Sequence, residues 1–267
     1  MNHLMFDCYG ANPTLMNDVM YVNRLMNGIT AEMGLTAIMP PSLIPYYYGK
    51  VEEDNGISSF LLLEGGHLTI HTFPLRKCYF LDLYTEDQLD SSKLEKYLQR
   101  YLPFTKETSM ISSRDRHQHL FESHPYDSNL DFGPHVLLSI NAEKEINLDM
   151  IYDFLENLVR EINMTPIIRP YVLKSTVKHP RYLSGMTMIA ESHISLHYDC
   201  QNKVIMADIF SCVPFDYNDL IPRFSPFGKL TSFEVVARGT KHYQIVQQYP
   251  LDSLHYVSEQ WKHNIQR

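Results

Sequence analysis

The chain has 267 residues, 44% of them apolar, enough for one large domain or two small ones with a substantial core. Lys and Arg number 23 against 31 Asp and Glu, a net charge of −8. That balance argues against nucleic acid or an anionic membrane as a main partner, since both need clustered basic charge, and it suits a small, cationic substrate. No apolar run approaches the roughly 20 residues that span a bilayer. Met1-Asn2-His3-Leu4 shows no charged region leading into an apolar one, so a cytoplasmic protein is expected. Cys8, Cys78, Cys200 and Cys212 have no CxxC spacing and are expected as free thiols.

In chain order, His3 to Cys8 is a short apolar strand candidate. Leu15, Val19, Val22, Met26, Ile29 and Met33 recur every three or four residues, the stripe of an amphipathic helix. Gly66 to His71 and Leu81 to Thr85 then read as strands, followed by a helix or turn and a last strand. Residues 105–131, rich in Ser, Arg, His, Asp and Pro, form the expected linker. Beyond them the order starts again. His135 to Ile140 is a strand candidate, and Ile151, Leu155, Leu158 and Ile162 form a second helical stripe.

The second half repeats the first. Gly66-His67-Leu68-Thr69-Ile70-His71 corresponds to Ser192-His193-Ile194-Ser195-Leu196-His197 at an offset of 126 residues. The same offset carries Ser58 onto Ser184 and Asp82 onto Asp208, and Glu32 to Thr36 matches Glu161 to Thr165 at a slightly different one. The expected organisation is a first module at 1–104, a linker at 105–131 and a second module at 132–267. Each is an α+β unit whose sheet has one helix-covered face. Burying the other faces against each other predicts a four-layer αββα sandwich with facing antiparallel sheets.

His67/His71 and His193/His197 have the spacing of a zinc-binding helix. The residues between them alternate apolar and polar, however, and on a strand such pairs lie roughly 13 Å apart. No metal is expected to be shared within either pair.

These motifs resemble the S-adenosylmethionine decarboxylase family, in its small bacterial and archaeal form. The resemblance rests on His67-Leu68-Thr69-Ile70-His71-Thr72-Phe73-Pro74 in the first module. In the second it rests on Glu191-Ser192-His193-Ile194-Ser195-Leu196-His197 and Asp208-Ile209-Phe210-Ser211-Cys212. It implies a chain that cleaves itself between Glu191 and Ser192, leaving a pyruvoyl group derived from Ser192. Such a ketone forms a Schiff base with an amino-acid substrate and does the work of pyridoxal phosphate; neither that cofactor nor a metal is expected. The resemblance also implies sites shared between modules. Ser192 and Cys212 would work with Ser58 and His71: Ser58 and His71 assisting processing, Cys212 returning a proton to the substrate. The reciprocal site would hold Gly66 and Glu86 with Ser184 and His197, and Gly66 has no hydroxyl from which to form a pyruvoyl.

The chain also departs from the family pattern. The family's ribose-gripping glutamate is replaced by Leu75, and Tyr46-Tyr47-Tyr48, candidates to stack on adenine, lie in a stretch of altered length. The expected reaction is decarboxylation of S-adenosylmethionine for polyamine biosynthesis. Ornithine or arginine is the alternative substrate, with Glu52, Glu53 and Asp54 as candidate partners for its cationic side chain. A non-catalytic regulatory partner of an active decarboxylase is the reading from another class. Association into a homodimer is left open.

Overall fold

The computed structural model describes residues 2–46, 52–114, 126–176, 181–190 and 192–240. In chain order the first module holds β1 (Asn2–Tyr9), α1 (Pro13–Met16), α2 (Val19–Met33), β2 (Ser42–Tyr46), β3 (Gly56–Leu63), β4 (Gly66–Phe73), β5 (Cys78–Thr85), α3 (Ser91–Tyr101) and β6 (Met110–Arg114). The second holds β7 (Gly133–Ala142), α4 (Leu148–Glu161), β8 (Tyr171–Lys174), β9 (Tyr182–Ile189), β10 (Ser192–Asp199), β11 (Val204–Ser211), α5 (Leu220–Phe224) and β12 (Gly228–Arg238). The bounds of β3, β4 and β5 recur in β9, β10 and β11 at the 126-residue offset. Among the described residues the strands form two antiparallel sheets, ordered β2-β3-β4-β5-β1-β6 and β12-β7-β11-β10-β9-β8.

Two local differences from the sequence expectation have physical causes. The first helical stripe is broken after Met16, where Asp18 turns its carboxylate onto the Tyr21 N–H at 3.0 Å and starts α2 afresh. Leu15 therefore sits on a separate single turn. Strand β6 lies inside the expected linker and pairs with β1, so the first sheet draws on residues beyond 104. The two long helices end alike: Gly34 (φ 68°) and Asn163 (φ 57°), which the repeat aligns, both adopt the left-handed turn that closes a helix.

Alternation along each strand sorts the side chains into layers. Leu4, Phe6, Leu68, Ile70, Leu81 and Leu83 face α2 and α3 in one apolar core. Ile194, Leu196, Ile205 and Ile209 face α4 and α5 in the other. Each sheet therefore has an apolar outer face under helices, and the inner faces meet: this is the αββα sandwich. Part of the inner layer is apolar, with Phe60 and Leu62 packed on Met186 and Met188.

The rest of that layer is polar. His3, His67, His71, His135, His193 and His197 are all buried there, with Asp7, Asp82, Asp208 and Arg238. They are shielded from bulk solvent, and they pair largely with one another. Arg238 binds Asp7 and Asp82 of the other module, each at 2.7 Å, and joins the sheets. Burial would raise the Asp82 and Asp208 carboxyls. Arg238 and His3 outweigh it at Asp82, and His67, His135 and His193 outweigh it at Asp208, so both lie well below the usual carboxylate range. Burial pushes His135 and His197 down to about 4.

A histidine held below its ordinary value of 6.5 binds fewer protons folded than unfolded, so its stability contribution is present at neutral pH and lost as pH falls from 6.5 to about 4. The urea unfolding midpoint is expected to be level above about pH 7 and to fall steadily across that window. A midpoint unchanged between pH 6.5 and 4 would show that these histidines are not buried neutral.

Candidate active site

The β9–β10 hairpin puts Ser192 opposite Ile189 on one side and Ser211 on the other. Its backbone has φ 152°, which L side chains rarely adopt, a cost of about 1–3 kcal/mol. Ser192 is 3% exposed, and its hydroxyl has no hydrogen-bond partner among the described residues. A strained backbone and a buried, unbonded nucleophile coincide at the residue the motif singles out. Glu191, the other half of the expected scissile bond, lies outside the described residues.

The first module brings its groups to the same place. Register pairs Ser58 of β3 with His71 of β4, and their side chains are bonded, Oγ to Nδ1 at 2.9 Å. His71 crosses the sheet interface, its Nε2 2.8 Å from Nδ1 of His193, the residue after Ser192. The Ser58–His71 pair thus meets the second module one residue from Ser192. Cys212 follows β11 and packs against a buried cluster of Tyr9, Phe73, Phe80, Phe132 and Phe210 from both modules.

The acidic candidates fare differently. Glu52, Glu53 and Asp54 form one 3-10 turn, and none is fully buried. Asp54 is already paired, its Oδ1 2.6 Å from Arg76 Nε, so a cationic substrate would compete with the chain's own arginine there. Tyr47 and Tyr48, and the side chain of Tyr46, lie outside the described residues.

The reciprocal site is filled. Ser184 Oγ bonds His197 Nδ1 at 2.8 Å, and His197 Nε2 lies 2.9 Å from His67 Nδ1, the mirror of the first arrangement. At the serine position, however, Gly66 lies so close to its neighbour strand that an added Cβ would sit 1.9 Å from the Tyr84 carbonyl oxygen. At the cysteine position Glu86 binds Arg181, which also holds Asp199 at 3.1 Å. An ion pair occupies the space where the other site holds a thiol.

The sequence profile of the S-adenosylmethionine decarboxylase family matches residues 2–115 and 137–226, one segment in each module. The chain belongs to this family. It does so as a fused tandem pair of decarboxylase modules. Among solved structures, the adenosylmethionine decarboxylase from Aquifex aeolicus VF5 is similar, at 20% identity and a TM-score of 0.37, over 46% of this chain and 95% of that one. No curated protein matches.

Several members of the inner layer carry a sequence signal. Asp82 and Asp208 recur at the repeat offset, as do the two histidine pairs, but the offset says nothing of which sheet each group reaches across to. Arg238 and Arg181 stood in no motif. Their importance comes from cross-sheet pairing. Among the described residues no helix is long and apolar enough to cross a membrane.

Restoring the serine in the first module should not restore a second site. Gly66→Ser is expected to lower the melting temperature and to give no cleavage before residue 66, checked by intact mass and a thermal melt. A stable variant cleaved at that position would contradict the close packing seen here.

Proposed function

We propose that the chain is a self-processing, pyruvoyl-dependent decarboxylase acting on S-adenosylmethionine in polyamine biosynthesis, with one working site per chain. The observation that carries this is the buried, strained and unbonded Ser192 in a Glu-Ser-His sequence, one residue from the Ser58–His71 pair. Family membership supplies the reaction class.

The proposed processing assigns each step to a residue present. Ser192 Oγ attacks the Glu191 carbonyl carbon, the hydroxyl proton passes to nitrogen, and the C–N bond breaks to leave an ester. Removal of the residue 192 α-proton, with His71 as the base, expels the Glu191 carboxylate and leaves dehydroalanine. Its enamine tautomerises to an imine, and water replaces nitrogen as ammonia, giving chain 1–191 and a pyruvoyl-headed chain 192–267. Ser58 hydrogen-bonds the tetrahedral intermediate. The ketone supplies an electron sink for the carbanion left by CO2. Cys212, a thiol of ordinary pKa about 8.5 and so largely protonated at neutral pH, returns a proton to the substrate α-carbon.

Leu75 in place of the ribose-binding glutamate favours a second reading of the same chemistry, on ornithine or arginine. Glu52 and Glu53 are then the acceptors, since Asp54 is engaged by Arg76.

Cleavage and turnover test these readings. Under reducing conditions Ser192→Ala should stay a single chain. His71→Ala should slow the appearance of the two fragments by at least about 100-fold, and His197→Ala by no more than a few-fold. Equal effects of the two histidine changes would contradict the cross-module assignment. CO2 release from S-adenosylmethionine, ornithine, arginine and lysine then ranks the substrates. A wild-type chain that is never cleaved would overturn the enzyme reading in favour of a regulatory partner.

A further inference from the structure

The buried hydrogen bonds assign their own protons. Asp208 is ionised and can only accept. Its Oδ2 lies 3.1 Å from His193 Nε2 and 2.9 Å from His135 Nε2, and its Oδ1 accepts from the Ser195 hydroxyl. His193 therefore carries its proton on Nε2, and its Nδ1 is a lone pair. That lone pair accepts from His71 Nε2–H at 2.8 Å. His71 Nδ1 is in turn left as a lone pair facing the Ser58 hydroxyl at 2.9 Å. A carboxylate in one module thus fixes the basic nitrogen of a histidine in the other.

The symmetry-related carboxylate has no such role. Asp82 accepts from Arg238 at 2.7 Å and from His3 at 3.1 Å. The same Arg238 nitrogen donates to His135 Nδ1 at 2.8 Å, which puts the His135 proton on Nε2, where it donates to Asp208. On the reciprocal side His67 Nε2 is 4.0 Å from Asp208 Oδ1, beyond hydrogen-bond reach, and has no partner among the described residues. The Ser184–His197–His67 series therefore ends without a carboxylate in contact, while Ser58–His71–His193 ends on one.

We propose that His193 and Asp208 are positioning residues for self-processing: they hold His71 in the tautomer whose Nδ1 lone pair faces Ser58, the nitrogen that takes the residue 192 α-proton once the Ser58 hydroxyl turns to the intermediate, and Arg238, by engaging Asp82, leaves Asp208 to that task. This rests on the processing role given above to His71. The arrangement extends the logic by which a buried aspartate orients a catalytic histidine, with one further imidazole between them. The groups facing His71 are Ser58 on the neighbouring strand and His193 and Phe210 from the opposite sheet; Asp82, Arg238 and His135 act on it through charge.

The test follows fragment formation by mass after cell-free synthesis of the full chain, from pH 5 to 9. Asp208→Leu removes both carboxylate oxygens, so nothing holds the His193 proton on Nε2 and neither tautomer is fixed. Its plateau rate should drop at least about 100-fold, by analogy with loss of the aspartate from a serine protease triad. Its acid limb should also move to lower pH, because the anion linked to His71 through His193 is gone. Asp208→Glu should recover part of the rate, His193→Phe, which offers His71 no acceptor, should match the loss, and His197→Ala should stay within a few-fold of wild type. A purely structural role would reduce folded protein, read by circular dichroism, without moving the acid limb. Wild-type rate and an unshifted limb in both Asp208→Leu and His193→Phe would overturn the proposal. A wild-type chain that never cleaves would instead remove the processing reading beneath it.

Discussion

The fold turns on the burial of charge between two sheets. An ionised carboxylate such as Asp208 inside a sandwich is tolerable only if several donors reach it, and here three come from two other strands. The outer faces of the sheets pack by apolar contact against helices, as the strand alternation dictates. The inner faces hold one another through histidine, aspartate and arginine. That layer ties the modules together and also sets the protonation of the candidate site.

Duplication made both halves, and the same polar layer shows how they have become unequal. Both copies keep a serine–histidine pair bonded across the interface to a second histidine. They differ at three points: serine against glycine, cysteine against glutamate, and a carboxylate contact against a 4.0 Å gap. At the reciprocal site the Tyr84 backbone closes on Gly66, and the Glu86–Arg181 pair stands where the other site has a cysteine. The first module keeps Ser58 and His71, a bonded pair that reaches the second module at His193.

Much of this was legible beforehand. The repeat located matching strands, because a register fixed by alternation carries over unchanged between copies. The histidine pairs read as strand residues, and on β4 and β10 each reaches into the facing sheet. Other features were not legible. Strand β6 is polar, Met110-Ile111-Ser112-Ser113-Arg114, and becomes a strand only because β1 offers it an edge. The break before α2 is a capping effect at Asp18, invisible to apolar periodicity. Asp54 looked free for a substrate until Arg76, 22 residues away, was found beside it. Arg238 had no motif at all; its role is defined by Asp7 and Asp82, over 150 residues earlier in the chain.

The proposed processing gives a single reactive carbonyl per chain, formed at residue 192. The direct measurement is to treat the purified protein with a hydrazide that labels ketones, then count adducts by intact mass and locate them by peptide mapping. The account predicts one adduct per chain, on the fragment whose first residue is 192. No adduct, two adducts per chain, or a label confined to another position would contradict it.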